Sequence, residues 1–139
     1  EYLRVAARPY MFSSAVPAIM AAGAIESLKI SAGDEGRKLR TKLMNNSIYL
    51  KENLIEMGYK VLGDGSISVL PVVIGQENMA ITFSNRLLEE GVFIPSFRWP
   101  AVPLGEARIR ITLMATHTEK ELNSLLLIFK KIGKELKII

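Results

Sequence analysis

Three arginines lie close together in the second half of the chain, at Arg98, Arg108 and Arg110. Arg108 and Arg110 are two residues apart, which places both side chains on the same face of a β-strand. A guanidinium group presents a planar fork of N–H donors that fits a carboxylate or a phosphate, so this face has the chemistry to bind a small anion. Solvated arginines on an exposed strand give the same pattern, and the pattern alone favours that simpler interpretation.

The segments around these arginines predict the secondary structure that positions them. Residues Arg108–Leu113 alternate between polar and apolar side chains, which predicts a half-buried strand. The loop Pro100–Gly105 has prolines at two positions and is predicted to be rigid and unpaired. Thr118 followed by Glu121 fits a capping box, so a helix is expected to begin there.

A second candidate for chemistry is the pair Ser13 and Ser14, which precedes an alanine-rich segment with Pro17 in its predicted first turn. Serine side chains commonly cap the free N–H groups of a helix start, and Pro is tolerated there. The same positive helix end could instead bind a phosphate group. The residues alone favour the cap.

The remaining periodicity predicts an α+β domain: a small, mostly antiparallel sheet with helices on one face. Residues 1–8 are expected to be the end of a helix and residues 9–12 to be extended. Pro71 suggests an edge strand or a bulge. Four helices are predicted, at 15–30, 35–57, 77–90 and 118–136. Four strands are predicted, at 59–62, 68–74, 92–97 and 108–113.

Composition excludes several classes of protein. Hydrophobic residues make up 49% and charged residues 23% of 139 residues, which is typical of one globular domain. The net charge of +4 is spread along the chain, so no nucleic-acid surface is expected. Without cysteine and with His117 as the single histidine, the chain has no thiol chemistry and no histidine-rich metal site. No segment predicts a membrane span or a secretory signal, so a cytoplasmic location is expected.

Four motifs resemble the α-oxoamine synthases, the pyridoxal-phosphate enzymes that join an amino acid to an acyl-CoA. The most specific is the segment Trp99–Thr118, which carries the pattern Pro-x-Val-Pro-x-Gly-x-Ala-Arg-x-Arg and ends in Ala-Thr-His-Thr. The segments Arg8–Pro17, Leu70–Gly75 and Ile132–Leu136 are also similar to that family. The group includes glycine C-acetyltransferase, 8-amino-7-oxononanoate synthase and serine palmitoyltransferase.

The resemblance implies the small C-terminal domain of a fold type I pyridoxal-phosphate enzyme over residues 1–139. Residues 1–14 would then be the tail of a large domain and its connecting segment, and that cofactor-binding domain would be absent from this chain. The resemblance also implies a homodimer and a fragment that is inactive by itself. The amino acid and the acyl-CoA stay open: glycine with acetyl-CoA, serine with palmitoyl-CoA and alanine with pimeloyl-CoA are all compatible.

Residue roles follow from the same resemblance. Arg110 would bind the carboxylate of the amino acid, and Arg98 would lie near the substrate or acyl-CoA entrance. Ser13 and Ser14 would reach the cofactor phosphate of the neighbouring subunit. His117 would lie in a structural turn. No catalytic residue is expected, because no lysine here matches the context of the Schiff-base lysine.

Two departures and two alternatives accompany this interpretation. Ala101 stands where some family members have threonine, and Trp99 stands where several have tyrosine, so the acyl pocket is expected to differ. A fragment of a pyridoxal-phosphate aminotransferase is one alternative function. The other is a non-catalytic domain that binds carboxylates or another protein.

Overall fold

The computed structural model describes residues 1–11 and 16–139, without the side chains of Tyr10 and Met11. These residues form two compact units, Glu1–Lys38 and Leu39–Ile139, and the boundary falls within a helix. The helices are α1 (Tyr2–Ala6), α2 (Arg8–Met11), α3 (Ala18–Ala32), α4 (Asp34–Glu56), α5 (Glu77–Glu89) and α6 (Glu119–Glu135). The strands are β1 (Lys60–Val61), β2 (Val69–Gly75), β3 (Ser96–Phe97) and β4 (Ala107–Thr112).

The second unit is built on one four-stranded antiparallel sheet with the order β1-β2-β4-β3. Strands β2 and β4 form its centre, where Val72 lies opposite Ile109. Both of these side chains are buried, and along β4 buried apolar residues alternate with more exposed polar ones. The predicted α+β arrangement is therefore confirmed: the buried side chains form the apolar face of the sheet, and β4 carries polar residues on its other face.

Helices α4, α5 and α6 contribute their apolar stripes to the core on the apolar face of the sheet. Tyr59, Phe83 and Phe129 meet edge to face at its centre, with ring centroids 5.3 to 6.1 Å apart. The Tyr59 hydroxyl donates a hydrogen bond to the Phe129 carbonyl at 2.8 Å. Leu39 near the start of α4 and Leu88 near the end of α5 lie outside this core and are 40% and 57% exposed.

Two predictions of local secondary structure are wrong. Residues 9–11 are helical in α2, because proline is tolerated in the first turn of a helix. Strand β3 is limited to residues 96–97, because Pro95 has no N–H to donate to a sheet.

Pro71 lies in a central strand and not at an edge, and the bulge that its presence suggested lies further on, between Val73 and Gly75. The Pro71 carbonyl accepts a hydrogen bond from the Leu62 N–H at 2.9 Å. In an antiparallel strand the N and O of a residue point to the same side. The missing donor of Pro71 therefore faces Leu62, on the side away from β4, so the central ladder between β2 and β4 loses no hydrogen bond.

In the first unit, the apolar residues of α3 are not gathered on one face, and the helix has no buried residue. It begins at Ala18 with Pro17 as its N-cap, whereas the predicted start lies outside the described residues. Ile19 and Leu28 are 81% and 69% exposed in this chain. Among the described residues, no helix has the length and apolarity needed to cross a membrane.

Candidate functional site

The polar face of β4 carries two arginines in different situations. Arg108 is held by Glu106: its Nη2 lies 2.8 Å from the Glu106 carboxylate, and its Nε donates to the Glu106 carbonyl at 3.1 Å. The Arg108 side chain is only 18% exposed. Two of its donor nitrogens are already engaged with Glu106, so Arg108 is less well placed than an arginine without a carboxylate partner to bind an external anion.

Arg110, two residues further on, has no carboxylate partner among the described residues. Its guanidinium carbon lies 4.4 Å from the centre of the Phe97 ring. This distance is typical of a cation–π contact, which holds the guanidinium over a ring without using its N–H donors. Arg110 is exposed, so its fork of donors faces solvent and is available for a carboxylate.

The pairing of β3 with β4 explains this contact. Phe97 lies opposite Arg108, and the Arg110 N–H donates to the Pro95 carbonyl at 3.3 Å. Phe97 is therefore the diagonal neighbour of Arg110 on the same face of the sheet, within reach of a long side chain. Sequence reasoning placed Phe97 only at the end of a strand and missed this role. The pairing register between the two strands is the signal that reveals it.

Arg98 begins the loop between β3 and β4 and is exposed. Its carbonyl accepts from the Ala101 N–H at 2.9 Å, and the Pro103 carbonyl accepts from the Glu106 N–H at 3.1 Å. These turns support the predicted fixed loop. The loop also presents Trp99, whose side chain is 61% exposed and whose bond to Pro100 is cis.

His117 closes the turn that follows β4. Its Nδ1 accepts from the Met114 N–H at 3.2 Å, and its carbonyl accepts from the Asn46 side chain at 3.2 Å. The next residue, Thr118, is the N-cap of α6, and the predicted capping box with Glu121 is present. The Glu121 carboxylate accepts hydrogen bonds from the Thr118 N–H and the Thr118 hydroxyl. These bonds, of which the one from the N–H has the largest effect, lower the pKa of the Glu121 carboxyl below its usual value. The structural role predicted for His117 agrees with these contacts.

A groove of about 1090 Å³ lies beside β4 in the second unit. Its walls include Phe93, Ile111, Leu113 and Leu125, which are all apolar. Arg110 also borders this groove, but the pleat of β4 turns its side chain away from the face that carries Ile111 and Leu113. The groove and the arginine face therefore meet at Arg110.

The other predicted site residues, Ser13 and Ser14, lie outside the described residues. The structure thus describes both substrate-site arginines but neither of the residues predicted to contact a phosphate. None of the lysines in the chain is buried. A nucleophilic lysine is usually activated by desolvation, which lowers its pKa. The described residues accordingly offer a binding face for an anion.

The fold and the site together define the class of this chain. It is an α+β domain that presents an arginine without a carboxylate partner, close to a proline-bounded loop. The profile of the aminotransferase class I and II family matches residues 1–128, and the chain belongs to that family. The more specific resemblance to α-oxoamine synthases is also confirmed. An 8-amino-7-oxononanoate synthase of Thermoanaerobacter pseudethanolicus is 40% identical over the whole chain.

Solved structures agree with this assignment. A serine palmitoyltransferase of Sphingomonas wittichii superposes on 99% of the chain with a TM-score of 0.89 and 29% identity. A serine palmitoyltransferase from S. paucimobilis with a bound PLP–myriocin aldimine has the same TM-score and 25% identity. The chain covers 34% of each of these two structures, and 34% of the Thermoanaerobacter protein. It thus spans about a third of the length of these relatives.

Proposed function

We propose that this chain is the C-terminal small domain of a pyridoxal-phosphate-dependent acyltransferase, which condenses a small amino acid with an acyl-CoA. Residues 1–14 connect it to the large domain, and the complete enzyme is a homodimer. Within it, Arg110 binds the carboxylate of the amino acid. Arg98 acts at the substrate entrance, and Ser13 and Ser14 reach the cofactor phosphate of the neighbouring subunit.

The observation that carries this proposal is that Arg110 is exposed and has no carboxylate partner among the described residues. Its guanidinium rests on the Phe97 ring. Arg108, on the same strand face, is already paired with Glu106. Because the two arginines share a strand face but only Arg108 has a carboxylate partner among the described residues, the amino-acid carboxylate is assigned to Arg110.

A carboxylate held by two parallel N–H···O bonds has a fixed orientation as well as a fixed position. Arg110 would therefore set which bond at the α-carbon faces the reacting group, so that one bond is activated and the others are not. Pyridoxal phosphate supplies the electron sink for the negative charge that develops at that carbon. Because no lysine of this chain lies in the sequence context of the family's Schiff-base lysine, this chain would contribute substrate orientation, and the covalent anchor of the cofactor would belong to the large domain.

The proposal is tested on the full-length protein, loaded with pyridoxal phosphate and titrated with glycine, alanine and serine. We expect a visible absorbance band that responds to one of the three amino acids. An arginine–carboxylate pair contributes roughly 1.5–3 kcal/mol, so Arg110→Gln should weaken that response about tenfold to a hundredfold.

Arg108→Gln is the matched control, because it removes a guanidinium from the same strand face. It should change the amino-acid affinity by less than about threefold, since its donors serve Glu106. An equal loss in both variants would contradict the assignment to Arg110. Absence of any band after loading would refute the acyltransferase proposal and favour a non-catalytic domain that binds carboxylates. Exchange of the amino group without use of acyl-CoA would favour an aminotransferase.

A further inference from the structure

The side chain of Arg110 extends from an exposed strand face, where a long, unpaired arginine would sample many rotamers. Phe97 lies directly under its guanidinium, at 4.4 Å from ring centre to guanidinium carbon. The ring itself is half-buried and belongs to β3, which is paired to β4. The aromatic face is therefore fixed relative to the strand that carries the arginine.

A ring face attracts the guanidinium through its quadrupole and leaves the N–H donors at the edge of the plane unoccupied. An acidic residue in the same place would consume those donors, as Glu106 does for Arg108. An aliphatic residue would provide apolar contact without the electrostatic attraction. Phe97 thus meets two requirements at once: it restrains the arginine, and it leaves the arginine free to bind.

We propose that Phe97 is a positioning residue for substrate recognition, which holds the Arg110 guanidinium in a carboxylate-binding orientation before the substrate arrives. This inference rests on the proposed function of Arg110. Restraint in the free state reduces the entropy lost when the carboxylate binds, so the contact increases affinity without touching the substrate. The face of the ring, and not merely its volume, is the property required.

The first test measures amino-acid binding in the full-length, cofactor-loaded protein by spectral titration. Phe97→Leu should weaken binding about two- to fivefold, as expected for loss of an exposed cation–π contact. Phe97→Tyr keeps the ring face and should bind like the parent protein. In an Arg110→Gln background, Phe97→Leu should have no further effect, because its influence passes through the arginine.

A second readout needs neither the cofactor nor activity. Phenylglyoxal modifies accessible arginines, and peptide mass mapping of the cofactor-free, full-length protein gives a separate rate for each one. Phe97→Leu should increase the modification rate of Arg110 by about two- to fivefold. The rate for Arg108 should be unchanged, because its partner is Glu106.

The outcomes separate the two proposals. If Arg110→Gln leaves amino-acid binding intact, the proposed role of Arg110 fails. If Arg110→Gln weakens binding and Phe97→Leu does not, only the positioning role of Phe97 is refuted. If Phe97→Leu weakens binding equally with and without Arg110, or if Phe97→Tyr is as damaging as Phe97→Leu, the residue is merely structural and the inference is overturned.

Discussion

Gly133 of α6 packs closely against Tyr59 of the core, and its replacement by alanine provides a quantitative test of that packing. A Cβ built at this position would overlap the Tyr59 hydroxyl and lie 2.9 Å from both Tyr59 Cζ and Ile139 Cγ1. The Tyr59 hydroxyl cannot retreat freely, because it donates to the Phe129 carbonyl at 2.8 Å. Alanine would therefore displace a buried ring or shift the helix.

The magnitude follows from three contributions. Overpacking of a core costs roughly 1–3 kcal/mol. Loss of the Tyr59 hydrogen bond costs about 1 kcal/mol. Alanine in place of glycine inside a helix returns about 1 kcal/mol. We therefore expect Gly133→Ala to lower the free energy of unfolding by roughly 1–3 kcal/mol in total.

Urea-induced unfolding followed by circular dichroism measures this change. In the Gly133→Ala background, Tyr59→Phe removes the overlapping oxygen and should recover part of the loss, so the two effects should not be additive. Lys134→Ala, on the exposed side of the same turn, is the control and should change the free energy by less than about 0.5 kcal/mol. A Gly133→Ala protein as stable as the parent, or strictly additive effects with Tyr59→Phe, would refute this account of the packing.

Three further predictions concern helix capping and pH. Thr118→Ala should lower the free energy of unfolding by about 1 kcal/mol, because it removes the N-cap of α6. Hydrogen bonds from Thr118 lower the pKa of Glu121 in the folded state, so the stability from this group is present above its unfolded pKa and is lost as pH falls through the folded pKa. Glu121→Gln should flatten that acid-side dependence in unfolding experiments between about pH 5 and pH 3, and an unchanged slope would contradict it. Burial raises the pKa of Tyr59, so the stability it contributes is complete below about pH 10 and decreases as pH rises towards the folded pKa. Tyr59→Phe should remove this loss of stability at alkaline pH. If the free energy of unfolding of Tyr59→Phe and of the parent protein depends on pH in the same way between about pH 9 and pH 11, the prediction is wrong.

The strands and helices of the second unit were largely predictable, because each follows from local pattern. Alternation over residues 108–113 predicted β4, and helical periodicity predicted α4, α5 and α6 within a few residues. The capping box at Thr118 is also local, since its two partners are three residues apart. Predictions failed at prolines, because a proline is compatible with more than one place in a structure. Residues 9–11 form a helix although proline also suits an extended segment, and Pro71 lies in a central strand.

The sequence by itself determined which residues could bind an anion. Residue type and strand periodicity are sufficient to place Arg108 and Arg110 on one polar face, because successive side chains of a strand alternate. The difference between those two arginines was decided only by the folded structure. Arg108 turns to Glu106, whereas Arg110 rests on Phe97, which reaches it only because β3 pairs with β4 in one register. Such a register depends on contacts between segments that are distant along the chain, so it is a property of tertiary structure.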